Sequence, residues 1–226
     1  MADWAAHAER EIERYRDGEQ RLPDTTDPDS RQRQLTRMGN AAGGAGLSLL
    51  MDGRAGEASE WLHRAAERYR ESIADAPPGS WGRPIGAMKA LVIVGDWAGA
   101  EGAARWALEL GAPEAESPIG RYAGSLALLV LGRDADARPV AASLRGHDDF
   151  PGDVADALAA LSSSDSPAYV SAVESVLESF EAREEYLEDI AVADTVLVLQ
   201  ALAARRGLAA ELVSPLLPRE GLAKHG

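Results

Sequence analysis

Cysteine is absent from these 226 residues, lysine occurs only as Lys89 and Lys224, and 5 Trp, 5 Tyr and 2 Phe supply all the aromatic surface. Without cysteine there is neither a disulfide framework nor thiol catalysis, which agrees with a cytoplasmic location. Basic residues are scarce beside acidic ones: 23 Lys and Arg face 37 Asp and Glu, for a formal net charge of -14 and a pI near 4.7. Binding to nucleic acid begins with a basic footprint, so that partner class is excluded. Acidity of this size fits a halophilic, high-salt setting, where screened surface charge maintains solubility, or a face made for a basic protein partner. A long apolar run is missing too. The most apolar stretch, Ile190 to Ala204, is interrupted by Asp194 and Gln200 and falls short of the roughly 18 residues of a membrane span. It reads as a buried core helix, and no membrane partner is expected. Met1 to Arg16 is charged and helical in pattern, so no secretory signal is expected either.

What is present is alanine, 43 residues of it, arranged in segments of period 3.6 separated by Gly, Pro, Asp and Ser. The first helix is expected from about Asp3 to Leu22, followed by a loop over Pro23 to Pro28, with Ser30 as cap for the next helix. From there the chain repeats itself. Gly53 is followed five residues later by Ala58 and twelve later by Ala65; Gly95 by Ala100 and Ala107; Gly132 by Ala137 and Leu144; and a degenerate fourth copy places Ser163 ahead of Ala168. Each glycine stands where one helix must stop and another begin, because the left-handed conformation of such a stop is open to Gly without penalty. Ala58, Leu62, Ala65 and Tyr69, with Trp61 beside them, make an apolar stripe, and Gly39, Gly43 and Gly46 make a face on which a neighbouring helix can pack closely. The later helices are expected at about Gly152 to Leu161, Pro167 to Glu188 and Ile190 to Arg205, with Val170, Val173, Leu177 and Phe180 as a buried stripe, Gly207 as a stop, and an extended tail at Pro215 and Pro218.

This spacing resembles the tetratricopeptide repeat, in which a turn glycine, a small residue five further on and an alanine twelve further on join two antiparallel helices. Gly95-Asp96-Trp97-Ala98-Gly99-Ala100 through Ala107-Leu108-Glu109-Leu110 also carries the family's aromatic two residues after the glycine. The period departs from the family: successive turn glycines lie 42 and 37 residues apart, against about 34. The expected fold class is all-α, antiparallel helical hairpins stacked as a compact tetratricopeptide-like bundle. One domain spans 1–226, with repeat-like hairpins at about 39–145 and a C-terminal helical cap at about 151–212. The resemblance implies a groove lined by Asn40, Gly43, Leu47 and Leu50, by Gly82, Ile85, Lys89 and Val92, and by Ile119, Tyr122, Leu126 and Leu129. These are mostly apolar and make no basic carboxylate clamp; filling by the terminal helices is the economical expectation.

Catalytic signatures are missing. His7, His63, His147 and His225 are dispersed without metal-ligand spacing, so neither metal nor cofactor is expected. His147, Asp148, Asp149 and Asp153 beside Pro151 are explained by capping and the helix dipole. Glu181, Glu184, Glu185, Glu188 and Asp189 read as a solvated face, because paired acids for glycoside chemistry must face each other across a cleft. Neither GxSxG nor SxxK occurs. Asp194 is the odd residue: within an apolar segment its carboxylate needs a cationic partner, unless it merely occupies a first helical turn. In the loop Gly79 to Pro84, a Trp and an Arg together are the usual materials of a recognition hot spot.

The C-terminal part, with Tyr186-Leu187-Glu188-Asp189, Leu197 to Arg206, Gly207 and Ser214-Pro215-Leu216-Leu217-Pro218, together with the Gly-Ser-Trp loop, resembles an all-helical immunity-protein family, the forty-ninth immunity family of polymorphic toxin systems. That resemblance implies neutralising a toxin by binding it. The expected function is a non-catalytic protein–protein interaction module. Its exposed partner-binding cluster is expected at Trp81, Arg83, Lys89, Arg121 and Tyr122, with a basic protein as partner and a homodimer as a further option. The alternative is a small-ligand-binding protein or enzyme with a pocket between helices, using Asp194, or His147, Asp149 and Asp153, as its polar groups.

Overall fold

The computed structural model describes residues 3–186 and 189–219. Its α-helices are α1 (Trp4–Arg21), α2 (Pro28–Met51), α3 (Ala55–Ser72), α4 (Gly82–Ile93), α5 (Trp97–Glu109), α6 (Pro118–Val130), α7 (Asp134–Leu144), α8 (Gly152–Ser163), α9 (Ser166–Glu181) and α10 (Asp194–Ala204), with one-turn 3-10 segments at Leu22–Asp24 and Ala112–Glu114. No strand occurs among the described residues. The all-α class read from the sequence is the observed one, a bundle in which each helix from α1 to α9 packs on the next. None of the helices described is long and apolar enough to cross a membrane.

Four pairs of helices, α2 with α3, α4 with α5, α6 with α7 and α8 with α9, are joined by connections of two or three residues, short enough to force antiparallel hairpins. The first three turns share one geometry. Gly53, Gly95 and Gly132 have φ of 79°, 74° and 69°, and the next amide donates five residues back: Arg54 to Leu49 at 2.9 Å, Asp96 to Leu91 at 3.0 Å and Arg133 to Leu128 at 2.8 Å. This Schellman arrangement satisfies carbonyls that a helix end otherwise leaves without partners. Counting onward from each glycine, Ala58, Ala100 and Ala137 are at most 1% exposed, and Ala65, Ala107 and Leu144 are fully buried. The spacing visible in the sequence is thus the spacing at which the returning helix faces its partner.

Close approach is needed most at Tyr69, whose ring lies between two glycines. A Cβ on Gly39 of α2 would meet ring carbons at 2.8 Å, and one on Gly86 of α4 at 2.6 Å. Gly46 has the same relation to Leu62 of α3, at 2.5 Å. The small-residue face therefore packs α3 against α2, and its fourth member, Gly86, belongs to α4.

Several boundaries differ from expectation. Asp27, rather than Ser30, caps α2, accepting from the Ser30 amide at 2.8 Å while Pro28 opens the helix. At the fourth turn Ser163 is still helical and Ser164 takes the left-handed conformation, φ 55°. Asp165 then donates to Ala160 at 3.0 Å and caps α9. The copy is shifted by one residue, so the fully buried position is Tyr169 and Ala168 is exposed. Helix α9 ends at Glu181, not near Glu188, and α10 starts at Asp194, not at Ile190. Tyr186 donates its hydroxyl to the Phe180 carbonyl at 2.7 Å, turning the chain back across the end of α9 where further helix would have nothing to pack on. Leu187, Glu188, Lys224 and His225 lie outside the described residues. The tail is not simply extended: residues 215–217 turn, Ala193 donates to Leu216 at 3.0 Å, and Gln200 of α10 clasps the backbone of Ala210 from both sides. Helix α10 itself returns to lie on α4, with lesser contacts to α8 and α9.

Gly95→Ala places a side chain at left-handed φ and should lower stability by about 1–2 kcal/mol. Gly102→Ala, in the exposed face of α5 with nothing near a Cβ, should instead raise it by about 0.5–1 kcal/mol. Urea unfolding of the two variants beside the parent checks both signs.

Candidate functional site

Helices α4 and α6 touch, as do α6 and α8, so the first helices of successive hairpins form one inner layer. Across this layer lies α10. Its start sits beside Lys89 in the middle of α4, and its end is held at the far end of α6. There Arg206 donates to the Leu129 carbonyl at 2.8 Å and pairs with Asp134 at 2.5 Å, while Arg205 lies 4.3 Å over the Trp97 ring. Helix α10 therefore crosses from the middle of α4 to the C-terminal end of α6. Beside its start opens a cavity of about 820 Å³, lined along α4 from Gly82 to Ile93 and on α6 by Pro118, Ile119 and Tyr122.

The groove positions divide along the same line. Asn40, Gly43, Leu47, Gly82, Ile85, Lys89, Ile119 and Tyr122 line the cavity, whereas Leu50, Val92, Leu126 and Leu129 do not. Filling is thus partial. It is done by α10, and no α1 residue lines the space, because α1 packs on α2. The remaining wall comes from the C-terminal region: Phe180, Arg183, Tyr186, Ile190, Val192, Asp194 and Thr195.

A polar group sits on this apolar wall. Lys89 Nζ lies 2.5 Å from Asp194 Oδ2 and donates to Thr195 Oγ1 at 3.0 Å. The lysine side chain is 16% exposed and the aspartate 30%. Burial pulls the lysine pKa down, yet the Asp194 charge, the neighbouring Tyr122 and the hydrogen bond to Asp194 outweigh it and hold the ammonium above its ordinary value. Burial likewise raises the phenol of Tyr122, against the pull of the Lys89 charge. Asp194 thus does both things weighed for it: it occupies the first turn of α10, where a carboxylate meets the positive end of the helix dipole, and it has a cationic partner, which is Lys89.

The five residues singled out as an exposed cluster do not form one. Trp81, Arg83, Lys89 and Tyr122 line the cavity, but Tyr122 is buried and Trp81 and Arg83 are half-buried. The Trp81 indole occupies the space left by Gly120, where a Cβ would meet Nε1 at 2.7 Å. Arg83 donates from Nε to Ser72 Oγ at 2.9 Å and from Nη2 to Gln32 Oε1, tying α4 to α3 and α2. Burial pushes its guanidinium below the ordinary value. Arg121 is elsewhere, its Nε donating to the Ala115 carbonyl at 2.9 Å, and it does not line the cavity. Of the alternative polar groups, Asp149 reaches the rim, while His147 and Asp153 do not line the space.

Among the described residues, no group of three or more His, Asp or Glu side chains is set to hold a metal ion. One arrangement looks superficially like a catalytic triad. His63 Nε2 lies 3.1 Å from Asp96 Oδ2, and Ser59 Oγ is 3.4 Å from Nδ1. Nδ1, however, faces the Ser59 carbonyl at 2.8 Å, so both ring nitrogens meet acceptors and neither is placed to take the serine proton. Asp96 spends its other oxygen capping α5 through the Gly99 amide at 2.9 Å. The group is a clip between hairpins.

Lys89→Met leaves the Asp194 carboxylate without its partner and should destabilise the fold by about 2 kcal/mol, discounted from a fully buried pair for the water that reaches Asp194. Adding Asp194→Leu should restore most of that loss. Since the lysine pKa is raised on folding, the parent's advantage over Lys89→Met should hold through neutral pH and fade only as pH climbs past about 10.4. Urea titrations of the parent and both variants at several pH values check this. No family model, curated protein or solved structure matches the chain, so its function is read from the chemistry of this cavity.

Proposed function

We propose that the protein is a non-catalytic binding protein whose inner groove, built from tetratricopeptide-like hairpins and half-closed by α10, takes up a small organic ligand. The observation that carries this reading is the Lys89, Asp194, Thr195 and Tyr122 group on the wall of a largely apolar, open cavity of about 820 Å³. That is the combination of volume, apolar lining and few placed polar groups on which small-molecule sites are built. Binding rather than turnover is favoured because the carboxylate of Asp194 is already committed to Lys89.

A second reading keeps a protein partner, the immunity-type role included. Its support is the rim, where Ile119 is 45% exposed beside the half-buried Trp81, the sort of apolar and aromatic edge on which partner chains dock.

Gly43 borders the cavity, and a Cβ there would make ordinary contact at 3.9 Å with Ala65 and Tyr69 of α3, so Gly43→Leu adds side-chain volume at the cavity wall. Native mass spectrometry after incubation with a metabolite extract should then detect an adduct on the parent and none on Gly43→Leu, with both proteins equally helical by circular dichroism. Equal adducts on both would move the site elsewhere. A stoichiometric protein retained from lysate, and lost on Trp81→Ala, would put the second reading first.

A further inference from the structure

The charge around the cavity runs opposite to the charge of the chain. The whole sequence has 37 acidic residues against 23 basic ones, yet the cavity is lined by Arg83, Lys89 and Arg183 against Asp149 and Asp194. Of these, Lys89 and Asp194 neutralise each other at 2.5 Å, and Asp149 is exposed on the rim, where water screens it. Arg83 and Arg183 are left. Arg83 bonds only neutral acceptors, Ser72 and Gln32, and its Nη1 has no hydrogen-bond partner among the described residues. Arg183 stacks over the Phe180 ring at 3.7 Å and forms no ion pair with a described carboxylate.

The Arg83 Nη1 is not sealed from water, so it is open to an incoming anion, whose charge would strengthen the hydrogen bond. The helix ends add to the same sign. Gly82 and Pro118, at the starts of α4 and α6, both line the cavity, so two positive dipole ends open onto it. The same cavity is also lined by Leu47, Ile85, Ile119, Phe150 and Ile190.

We propose, resting on the small-ligand reading above, that the ligand is an anionic amphiphile: a carboxylate or phosphate head paired with the Arg83 guanidinium, carried on an apolar body lying against the aliphatic and aromatic wall. Arg83 offers Nη1 to the head, and Arg183 guards the mouth with a second positive charge. Lys89 is not the anchor, since Asp194 already satisfies it.

The test is calorimetric titration of the intact protein with octanoate, octyl phosphate, octanol and octylamine at low and high salt, repeated on Arg83→Gln, Arg183→Gln and Gly43→Leu. The anionic members should bind at least about tenfold tighter than octanol, as one charge-assisted hydrogen bond provides. That preference should shrink at high salt and disappear in Arg83→Gln, and Gly43→Leu should abolish binding of every member. Whichever of octanoate and octyl phosphate binds tighter identifies the head. If Arg83→Gln fails to fold, Arg183→Gln, at an exposed position, and the salt series carry the comparison, and both should weaken the anions selectively. Equal binding of octanol or octylamine, still abolished by Gly43→Leu, overturns the anionic proposal and leaves the cavity reading standing. No binding of any member overturns the proposal, and the native mass-spectrometric adduct then decides separately whether the cavity is used at all.

Discussion

Reversal of the chain within two or three residues is the constraint from which the rest of this structure follows. A turn that short is possible only if one residue adopts left-handed φ, as Gly53, Gly95, Gly132 and Ser164 do, and if the following amide reaches back to a carbonyl of the outgoing helix. Once the reversal is fixed, so is the register of the returning helix. The residues five and twelve positions on must face inward at close range, which is why they are alanine in most copies and buried in the first three. The same regularity sets α4, α6 and α8 side by side, and with α2 they border one space.

Left alone, such a stack would present a long apolar groove. Helix α10 changes that by lying along half of it, and its position is held by charge at both ends: Lys89 with Asp194 at its start, Arg206 with Asp134 and Arg205 on Trp97 at its finish. Buried or half-buried pairs of this kind add little net stability, but breaking one is costly, so they specify a position more than they strengthen a fold.

The cavity is the point at which architecture becomes chemistry. Its apolar wall is inherited from the groove, its neutral ion pair from the docking of α10, and its unmatched cations from Arg83 and Arg183. The two arginines differ in character: Arg83 is tied to α2 and α3 through Gln32 and Ser72 and is fixed in place, whereas Arg183 is exposed and stacks on the Phe180 ring. In the proposed reading, a fixed cation inside and a looser one at the mouth would favour capture of an anion by a chain whose net charge is negative.

The sequence by itself determined the helices and the hairpin turns, because these depend on local properties: left-handed φ at glycine, the 3.6 period of apolar residues, and alanine where helices touch. Asn40, Gly43, Ile85, Lys89 and Tyr122 were legible as groove positions through the resemblance to the tetratricopeptide repeat, and Asp194 announced itself as an acid inside an apolar run. Only the tertiary structure decided how far the groove is filled and which residues complete it. Arg183 and Thr195 carry no local mark, and Phe180 and Ile190 read only as core positions, since their place on the cavity wall comes from α10 returning to α4 across about a hundred residues of intervening chain, to Lys89 from Thr195. It also decided that Arg121, one residue from Tyr122, belongs to another face, because neighbours in a helix point about 100° apart. Spacing along the chain fixes which residues share a helix face; only packing fixes what that face meets.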